Sequence, residues 1–323
     1  MQTNVNRKSK RGTLIGAAVL AGAVGVAPAA RGQTFSAWSE PASLGPVLNT
    51  EATDGCPFIA KKGLSLYFAS NRAGGLGGLD IYVSQRASLE EPWGPARNLG
   101  PVVNSPANEL CPTLTIDGHR LFFVSSRPGC GGQDLHVAWR RNKRDDFAWE
   151  SVENLGCTVN SPANDYTPSY VEDDETGEAL LYFSSNRPGG PGGADIYVSS
   201  LGADGTFGPA SRVEELTTPW DDERPNVRKD GREIFFDSNR PGTVGGPDLW
   251  TATRAGFDEP WSEPANLGPL VNSLALDGRT SLSFDGRALY FMSSRPGSTP
   301  GPTGSPSIDL YVTTRDKIGD PVE

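Results

Sequence analysis

Acidic residues at a regular spacing are the first candidates for chemistry in this chain. Four of them stand three residues before a proline, and a fifth stands at the corresponding place; they are Asp54, Glu109, Asp165, Asp222 and Asp277. Carboxylates that meet at one opening would attract a cation, an amine or a basic peptide, and their repulsion would raise their pKa values. The alternative is that each carboxylate caps backbone amides of a nearby turn.

The fourth acidic segment differs from the others. It reads PWDDER (219–224) where two other segments read NSPAN, so Trp220 and Glu223 stand beside Asp222. An exposed aromatic ring among carboxylates suits a sugar or peptide ligand, whereas the alternative is that Trp220 folds back onto its neighbours. The predicted ligand-binding residues are Asp54, Glu109, Asp165, Trp220, Asp222, Glu223 and Asp277.

Other kinds of reactive centre find little support in the sequence. The chain has two histidines, His119 and His136, and no G-x-S-x-G motif, which argues against a hydrolytic triad and a zinc site. The D-x-D-x-D-G loop typical of calcium sites is also missing from the sequence. We expect no metal and no cofactor, with calcium at the acidic opening as the weaker alternative.

Internal repeats indicate the elements that must hold these residues. A Gly-rich phrase occurs five times, most clearly as SLYFASNRAGGLGGLDIYV (65–83) and LLYFSSNRPGGPGGADIYV (180–198), and its arginine recurs every 53 to 60 residues. Apolar runs bounded by Gly, Pro, Asn and Asp are typical of strands, and no helical period interrupts them. Units of four short strands repeated around an axis predict an all-β fold, a five-bladed β-propeller with four antiparallel strands per blade.

The strand count also predicts how the ring closes. The fifth unit lacks a fourth strand, while residues 37–44 form a spare strand before the first unit. We expect this N-terminal strand to complete the last blade, because the pairing would hide sheet edges. The predicted organisation is a signal peptide (1–29), a linker (30–35), the propeller (36–315) and a tail (316–323).

An arginine and an aspartate recur on either side of the Gly-rich connection in every unit. A hairpin would bring the two side chains into a partly buried ion pair that holds the connection in register. Recurrence in all five units favours a structural role over a catalytic one. The predicted pairs are Arg72 with Asp80, Arg127 with Asp134, Arg187 with Asp195, Arg240 with Asp248, and Arg295 with Asp309.

Four cysteines allow three disulfide connectivities. Cys56 and Cys111 occupy the same position in adjacent units, just before the proline that opens the first strand. Cys130 lies in the Gly-rich connection of the second unit, and Cys157 follows the last strand of that unit. We predict the pairs Cys56–Cys111 and Cys130–Cys157; free buried thiols are the alternative.

The N-terminal segment has the features of an export signal. Four basic residues precede an apolar stretch (14–27) and an Ala-Pro-Ala cleavage site (27–29). The stretch is too short to span a membrane, so we expect a periplasmic or secreted protein with no transmembrane segment after cleavage. The net charge of −10 argues against nucleic acid as a partner. The basic run RRNKR (140–144) is interpreted as a solvated loop, and we expect a monomer.

The repeated run S-N-R-P-G-G-x-G-G-x-D-I-Y, with an acid three residues before proline and a W-x-x-P-x-N-L-G phrase, resembles the WD-repeat-like propeller repeat of the TolB family. The resemblance covers about residues 36–315. It implies a bacterial exported interaction scaffold with a propeller fold.

Two functions follow as hypotheses. The first is a non-enzymatic propeller that binds a protein, peptide or glycan at the acidic mouth of its central channel. The alternative is a glycoside hydrolase of the five-bladed arabinanase type, whose carboxylates would stand about 5 Å or about 6.5 to 9.5 Å apart. Its candidate acids are Asp54, Asp165, Asp222 and Glu223. An equivalent acid in every unit favours the scaffold, since catalysis needs a differentiated pair.

Overall fold

The computed structural model describes Met1 and residues 34–318, and the regular secondary structure of this part of the chain is almost entirely β-strand. The exception among the described residues is a short 3-10 helix, Glu214–Leu216. No helix long and apolar enough to cross a membrane occurs in the described residues. The predicted signal peptide lies, apart from Met1, outside them.

The strands form five four-stranded antiparallel sheets and one two-stranded ribbon. Two strands precede the first blade: β1 (Thr34–Phe35) and β2 (Ala42–Ser43). Blade 1 contains β3 (Asp54–Ile59), β4 (Ser65–Ser70), β5 (Asp80–Gln85) and β6 (Arg97–Asn98). Blade 2 contains β7 (Glu109–Leu114), β8 (Arg120–Ser125), β9 (Asp134–Trp139) and β10 (Ser151–Asn154). Blade 3 contains β11 (Asp165–Glu172), β12 (Ala179–Ser185), β13 (Asp195–Ser200) and β14 (Ser211–Arg212).

The remaining strands complete the ring. Blade 4 contains β15 (Asp222–Val227), β16 (Glu233–Ser238), β17 (Asp248–Thr253) and β18 (Ala265–Asn266). Blade 5 contains β19 (Asp277–Leu282), β20 (Ala288–Ser293) and β21 (Asp309–Thr314), and its outer strand is β2. The predicted fold, including closure by the N-terminal strand, is therefore confirmed. A further strand, β22 (Lys317–Ile318), pairs with β1, so the predicted linker and tail meet in a ribbon.

The core lies between the blades because each sheet is apolar on both faces. The second strand of every blade carries an aromatic residue that is fully buried: Phe68, Phe123, Phe183, Phe236 and Phe291. These rings join clusters that combine residues of neighbouring blades. Radial stacking of this kind supplies the burial that one blade cannot achieve alone.

The first strands of the blades surround the axis, since each contacts the first strands of both neighbouring blades. All five carry a β-bulge, and the third residue of each strand has a positive φ of 52° to 60°. Such angles are strained for residues other than glycine. The bulged residues are Cys56, Cys111, Thr167, Arg224 and Arg279.

Candidate functional site

The five recurring acids begin the first strands and are completely buried. Each accepts hydrogen bonds from the backbone amide and the hydroxyl group of a serine or threonine four residues earlier. Each also binds the arginine of its own blade, at 2.5 to 3.3 Å. The hydrogen bonds and ion pairs of these carboxylates therefore fix the start of the first strand in each blade. The expected ring of carboxylates open to a ligand, formed by Asp54, Glu109, Asp165, Asp222 and Asp277, is not present.

The predicted pairing of each arginine with the aspartate of the third strand is wrong. Strand register explains the difference: in blade 1 Ser70 pairs with Asp54 on one side and with Asp80 on the other. Arg72 donates from Nε to the Ser70 hydroxyl and from Nη2 to Asp54. The five arginines, Arg72, Arg127, Arg187, Arg240 and Arg295, all bind the acid that begins the first strand.

The aspartates of the third strands organise the Gly-rich connections instead. Asp80 accepts hydrogen bonds from the amides of Leu76 and Gly77 and from the Asn98 side chain. Asp134, Asp248 and Asp309 also accept backbone amides of their own loops, and Asp195 lies at the same position in blade 3. Burial raises the pKa values of Asp195 and Asp248. The loop amides reach these carboxylates because the glycines allow the loop backbone to curl around the aspartate side chain.

Both predicted disulfides are confirmed. Cys130–Cys157 joins the Gly-rich connection of blade 2 to the segment after its outer strand, with the Cα atoms 5.5 Å apart. Cys56–Cys111 joins the bulges of blades 1 and 2 at the axis, with the Cα atoms 4.7 Å apart. The Arg279 guanidinium contacts both sulfur atoms of the axial bridge. The disulfide and this arginine plug the channel, and a cavity of only about 20 Å³ remains beside them.

A group of polar and charged residues lies at this plug and shares Arg279 with it; we call this group the axial cluster: Tyr166, Glu223, Arg224, Asp237 and Arg279. The Arg224 guanidinium binds Glu223 at 2.8 Å through Nη2 and contacts Asp237 through Nη1. The Tyr166 hydroxyl donates to Glu223 at 2.7 Å, and the backbone amide of Arg279 donates to Asp237 at 3.1 Å. Two carboxylates therefore share a single guanidinium.

The axial cluster breaks the five-fold repetition of the fold. Asp237 occupies a second-strand position where the other blades have Ala69, Val124, Ser184 and Met292. Glu223 occupies a first-strand position where the others have Gly55, Leu110, Tyr166 and Gly278. Sequence reasoning included Glu223 but missed Asp237, Arg279 and Tyr166. An alignment of the five repeats would have found Asp237, because it is an acid among small and apolar residues.

Burial shapes the electrostatics of the cluster. Asp237 is almost inaccessible, with a side chain only 1% exposed, and burial raises its pKa to about 6 even though Arg224 opposes the shift. Burial, and then the neighbouring Arg224 charge, lowers the pKa of Arg279 to about 10. Burial and the adjacent Glu223 raise the pKa of Tyr166. The Glu223 side chain is 15% exposed, so it is the more accessible carboxylate of the two.

Trp220 lies close in sequence to the cluster and is open to solvent. The residue is 42% exposed, so it does not belong to the buried core. Within residues 34–318, no three His, Cys, Asp or Glu side chains are grouped so as to hold a metal ion. The polar chemistry of the axial cluster is therefore that of carboxyl, guanidinium and phenol groups.

No family model matches the chain, and no curated protein matches it in sequence. Solved structures do match. An alpha-L-arabinofuranosidase from Lactobacillus brevis is 16% identical, with a TM-score of 0.58 over 85% of this chain and 93% of that one. An alpha-L-arabinofuranosidase from Podospora anserina in complex with cellotriose is 12% identical, with a TM-score of 0.56 over 87% and 98% of the two chains. A xylan beta-1,4-xylosidase from Bacillus halodurans C-125 is 18% identical, with a TM-score of 0.56 over 85% and 54%.

These matches correct three expectations. The TolB and WD-repeat-like assignment is contradicted, because the similar five-bladed structures are arabinofuranosidases and a xylosidase. The hypothesis of a non-enzymatic binding propeller and the expectation of no enzymatic activity are contradicted by the same finding. The glycoside hydrolase alternative agrees better with it. At identities of 12 to 18% the similarity establishes the fold and by itself assigns no activity.

Proposed function

We propose that this protein is an exported glycoside hydrolase that cleaves a terminal or side-chain sugar from a glycan at the axial cluster. The observation that carries the proposal is that Glu223 and Asp237 contact the same guanidinium, that of Arg224. Glycoside hydrolysis uses two carboxyl groups about 5 to 9.5 Å apart, and a shared guanidinium keeps two carboxyl groups within this range. The similar solved hydrolases support the same activity.

The two carboxyl groups differ in environment, as an acid and a base must. Asp237, with a pKa of about 6, holds its proton in mildly acidic solution and is assigned as the general acid. Glu223 accepts a hydrogen bond from Tyr166 and forms an ion pair with Arg224, and it is assigned as the base or nucleophile. Because Asp237 is 1% exposed, the substrate must displace Arg224 from it to reach the proton.

The blocked channel beside the axial cluster limits which substrates can bind. The Cys56–Cys111 disulfide and Arg279 fill the channel, so a glycan cannot thread through the ring past the cluster. A sugar must enter and leave by one side, which suits removal of a terminal or branching residue. Trp220, three residues before Glu223, is exposed, and we assign its ring as a surface on which a sugar can stack.

The proposed location is the periplasm or the extracellular space. Two disulfides are typical of proteins that fold in an oxidising compartment. The export signal predicted for residues 1–29 agrees with this location. A glycan is the proposed partner.

Hydrolysis assays test the function directly. The purified protein would be incubated with para-nitrophenyl arabinofuranoside, para-nitrophenyl xyloside and arabinoxylan, and the released nitrophenol and monosaccharide measured. We expect Glu223→Gln and Asp237→Asn to lower the rate by about 100-fold or more, the usual contribution of a positioned acid or base. Glu215→Gln and Asp258→Asn are matched controls, because both residues are exposed and outside the cluster.

The controls should keep the full rate. Absence of released sugar from all three substrates, or full activity of Glu223→Gln, would contradict the proposal. Circular dichroism and thermal melting of each variant would show that a lost activity does not reflect an unfolded protein.

A further inference from the structure

A second and much larger cavity lies at the other end of the first strands. It has a volume of about 620 Å³ and is lined by the ends of these strands and by the turns that follow them. Cavities of about 300 to 1,000 Å³ are typical of small-molecule sites. None of the axial-cluster residues lines it, so the two regions would bind ligands independently.

Five cations from three separate loops line this cavity: Lys61, Lys62, Lys143, Arg144 and Lys229. None of the five forms an ion pair with a carboxylate in the described part of the chain. Lys143 and Arg144 belong to the basic run RRNKR, and both are exposed, as expected for a solvated loop. The fold also brings them to the same cavity as the turn that carries Lys61 and Lys62.

Two of these positive charges lie close to the same aromatic ring. The ammonium groups of Lys61 and Lys229 lie 4.7 and 3.9 Å from the centre of the Phe284 ring. The three residues come from the turns of blades 1, 4 and 5. Bringing two ammonium groups together without an anion is unfavourable, and a bound anion would relieve the repulsion.

The other charged residues of the cavity wall either form ion pairs or, in the case of Asp117, accept hydrogen bonds from neutral groups. Asp117 accepts hydrogen bonds from the Thr115 hydroxyl and the His119 amide. Asp146 binds Arg140 and accepts hydrogen bonds from Ser65, Tyr67 and Gln85. Arg228 binds Asp230 and Glu233. The wall therefore presents an excess of positive charge, although the whole chain has a net charge of −10.

We propose that this basic cavity binds a small anion with two or more negative charges, such as an oligosaccharide with several carboxylates or a sugar with two phosphate groups. Both ligands offer the same chemistry, which is separated negative charge on a compact polar body. Ammonium groups on separate turns can each meet one charge, and the rings of Phe58, Tyr170 and Phe284 can contact the sugar. The site neither uses nor requires the axial cluster.

Isothermal titration calorimetry at low salt would test the proposal with three probes: trigalacturonate, fructose bisphosphate and neutral maltotriose. We expect at least one of the two anions to bind, maltotriose to bind far more weakly, and added salt to weaken anion binding. Binding of trigalacturonate alone would identify carboxylates as the ligand groups, and binding of fructose bisphosphate alone would identify phosphates. Failure of both anions to bind would overturn the proposal.

Substitutions of the cavity lysines would test whether the anion binds in this cavity. The triple variant Lys61→Gln/Lys143→Gln/Lys229→Gln should weaken anion affinity by about tenfold or more. The matched control is Lys317→Gln, an exposed lysine of the terminal ribbon outside the cavity, and it should leave the affinity unchanged. Equal anion affinity in the triple variant and the wild type, or an equal loss in the control, would place the binding elsewhere and overturn the proposal.

Discussion

The Tyr166 hydroxyl donates a 2.7 Å hydrogen bond to the Glu223 carboxylate across the boundary between blades 3 and 4. Both residues occupy the second position of their first strands, so the contact follows from two repeats meeting side by side. Arg224 holds the other oxygen of the same carboxylate. Glu223 is thereby fixed from two sides while part of it stays open to solvent.

Tyr166→Phe removes one of these two constraints. We expect kcat for glycoside hydrolysis to fall about tenfold or more while KM changes little, because Tyr166 positions Glu223 and does not hold the substrate. The free energy of unfolding should fall by only about 1 kcal/mol, the usual value of one hydrogen bond. Tyr170→Phe is the matched control, since Tyr170 also donates to a glutamate, Glu172, in the same blade. A kcat equal to that of the wild type would exclude a positioning role.

Loss of the arginine that binds the first-strand acid should lower the free energy of unfolding strongly. Arg240 binds Asp222 at 2.5 Å, and the two side chains are 8% and 0% exposed. Arg240→Ala leaves a buried carboxylate without its cation, which costs about 3 to 5 kcal/mol of unfolding free energy. Asp316→Asn removes the exposed pair with Arg287 and should have no measurable effect. Urea unfolding monitored by tryptophan fluorescence would measure the unfolding free energy of both variants. Similar losses in the two variants would contradict the claim that burial of the ion pair sets its contribution.

Asp237 predicts a specific dependence of stability on pH. Its pKa of about 6 lies above the usual value of about 3.9, so the folded protein keeps a proton that the unfolded chain releases between these values. Stability from this group is therefore present below about pH 4 and lost as the pH rises through about 6. The unfolding free energy of the wild type minus that of Asp237→Asn should fall by about 1 to 3 kcal/mol between pH 4 and 7. Urea unfolding across this range measures the difference.

The control for this titration is Asp258→Asn, an exposed aspartate of the same blade that should follow the wild type at every pH. A constant or rising difference for Asp237→Asn would show that Arg224 outweighs burial and keeps the group ionised. The assignment of Asp237 as general acid would then fail as well, because the carboxyl group would hold no proton near pH 5.

The repeats predicted the blades, the closing strand and both disulfides because these depend on residues that recur at fixed positions within each unit. The arginine partners were not predictable in the same way. Arg72 is eight residues from Asp80 and eighteen from Asp54, so sequence distance favours the wrong partner, and only strand register shows the right one. Asp237 was missed because it directly follows three apolar residues of its strand, Ile234, Phe235 and Phe236. The basic cavity was missed because its lysines come from turns far apart in sequence.

Because the N-terminal strand closes the ring, we expect a short deletion in this strand to lower the melting temperature strongly. Ala42 and Ser43 pair with Val312 and Tyr311, and Trp38 packs against Phe235 with Arg315 above its ring. Deletion of residues 36–44 exposes the edge of blade 5 and removes both the strand pairing and the contacts of this partly buried tryptophan. We expect the melting temperature to fall by about 10 °C or more, since each 1 kcal/mol lowers it by about 2 to 4 °C in a large domain.

Scanning calorimetry of the deletion variant beside Trp38→Ala would separate the two contributions. The single substitution removes the ring but leaves the strand pairing in place, so it should lower the melting temperature by less than the deletion does. Since an unpaired edge recruits other chains, the deletion variant should also aggregate, whereas Trp38→Ala should not. An unchanged melting temperature in the deletion variant would mean that the fifth blade is stable with three strands and that the N-terminal strand does not close the ring.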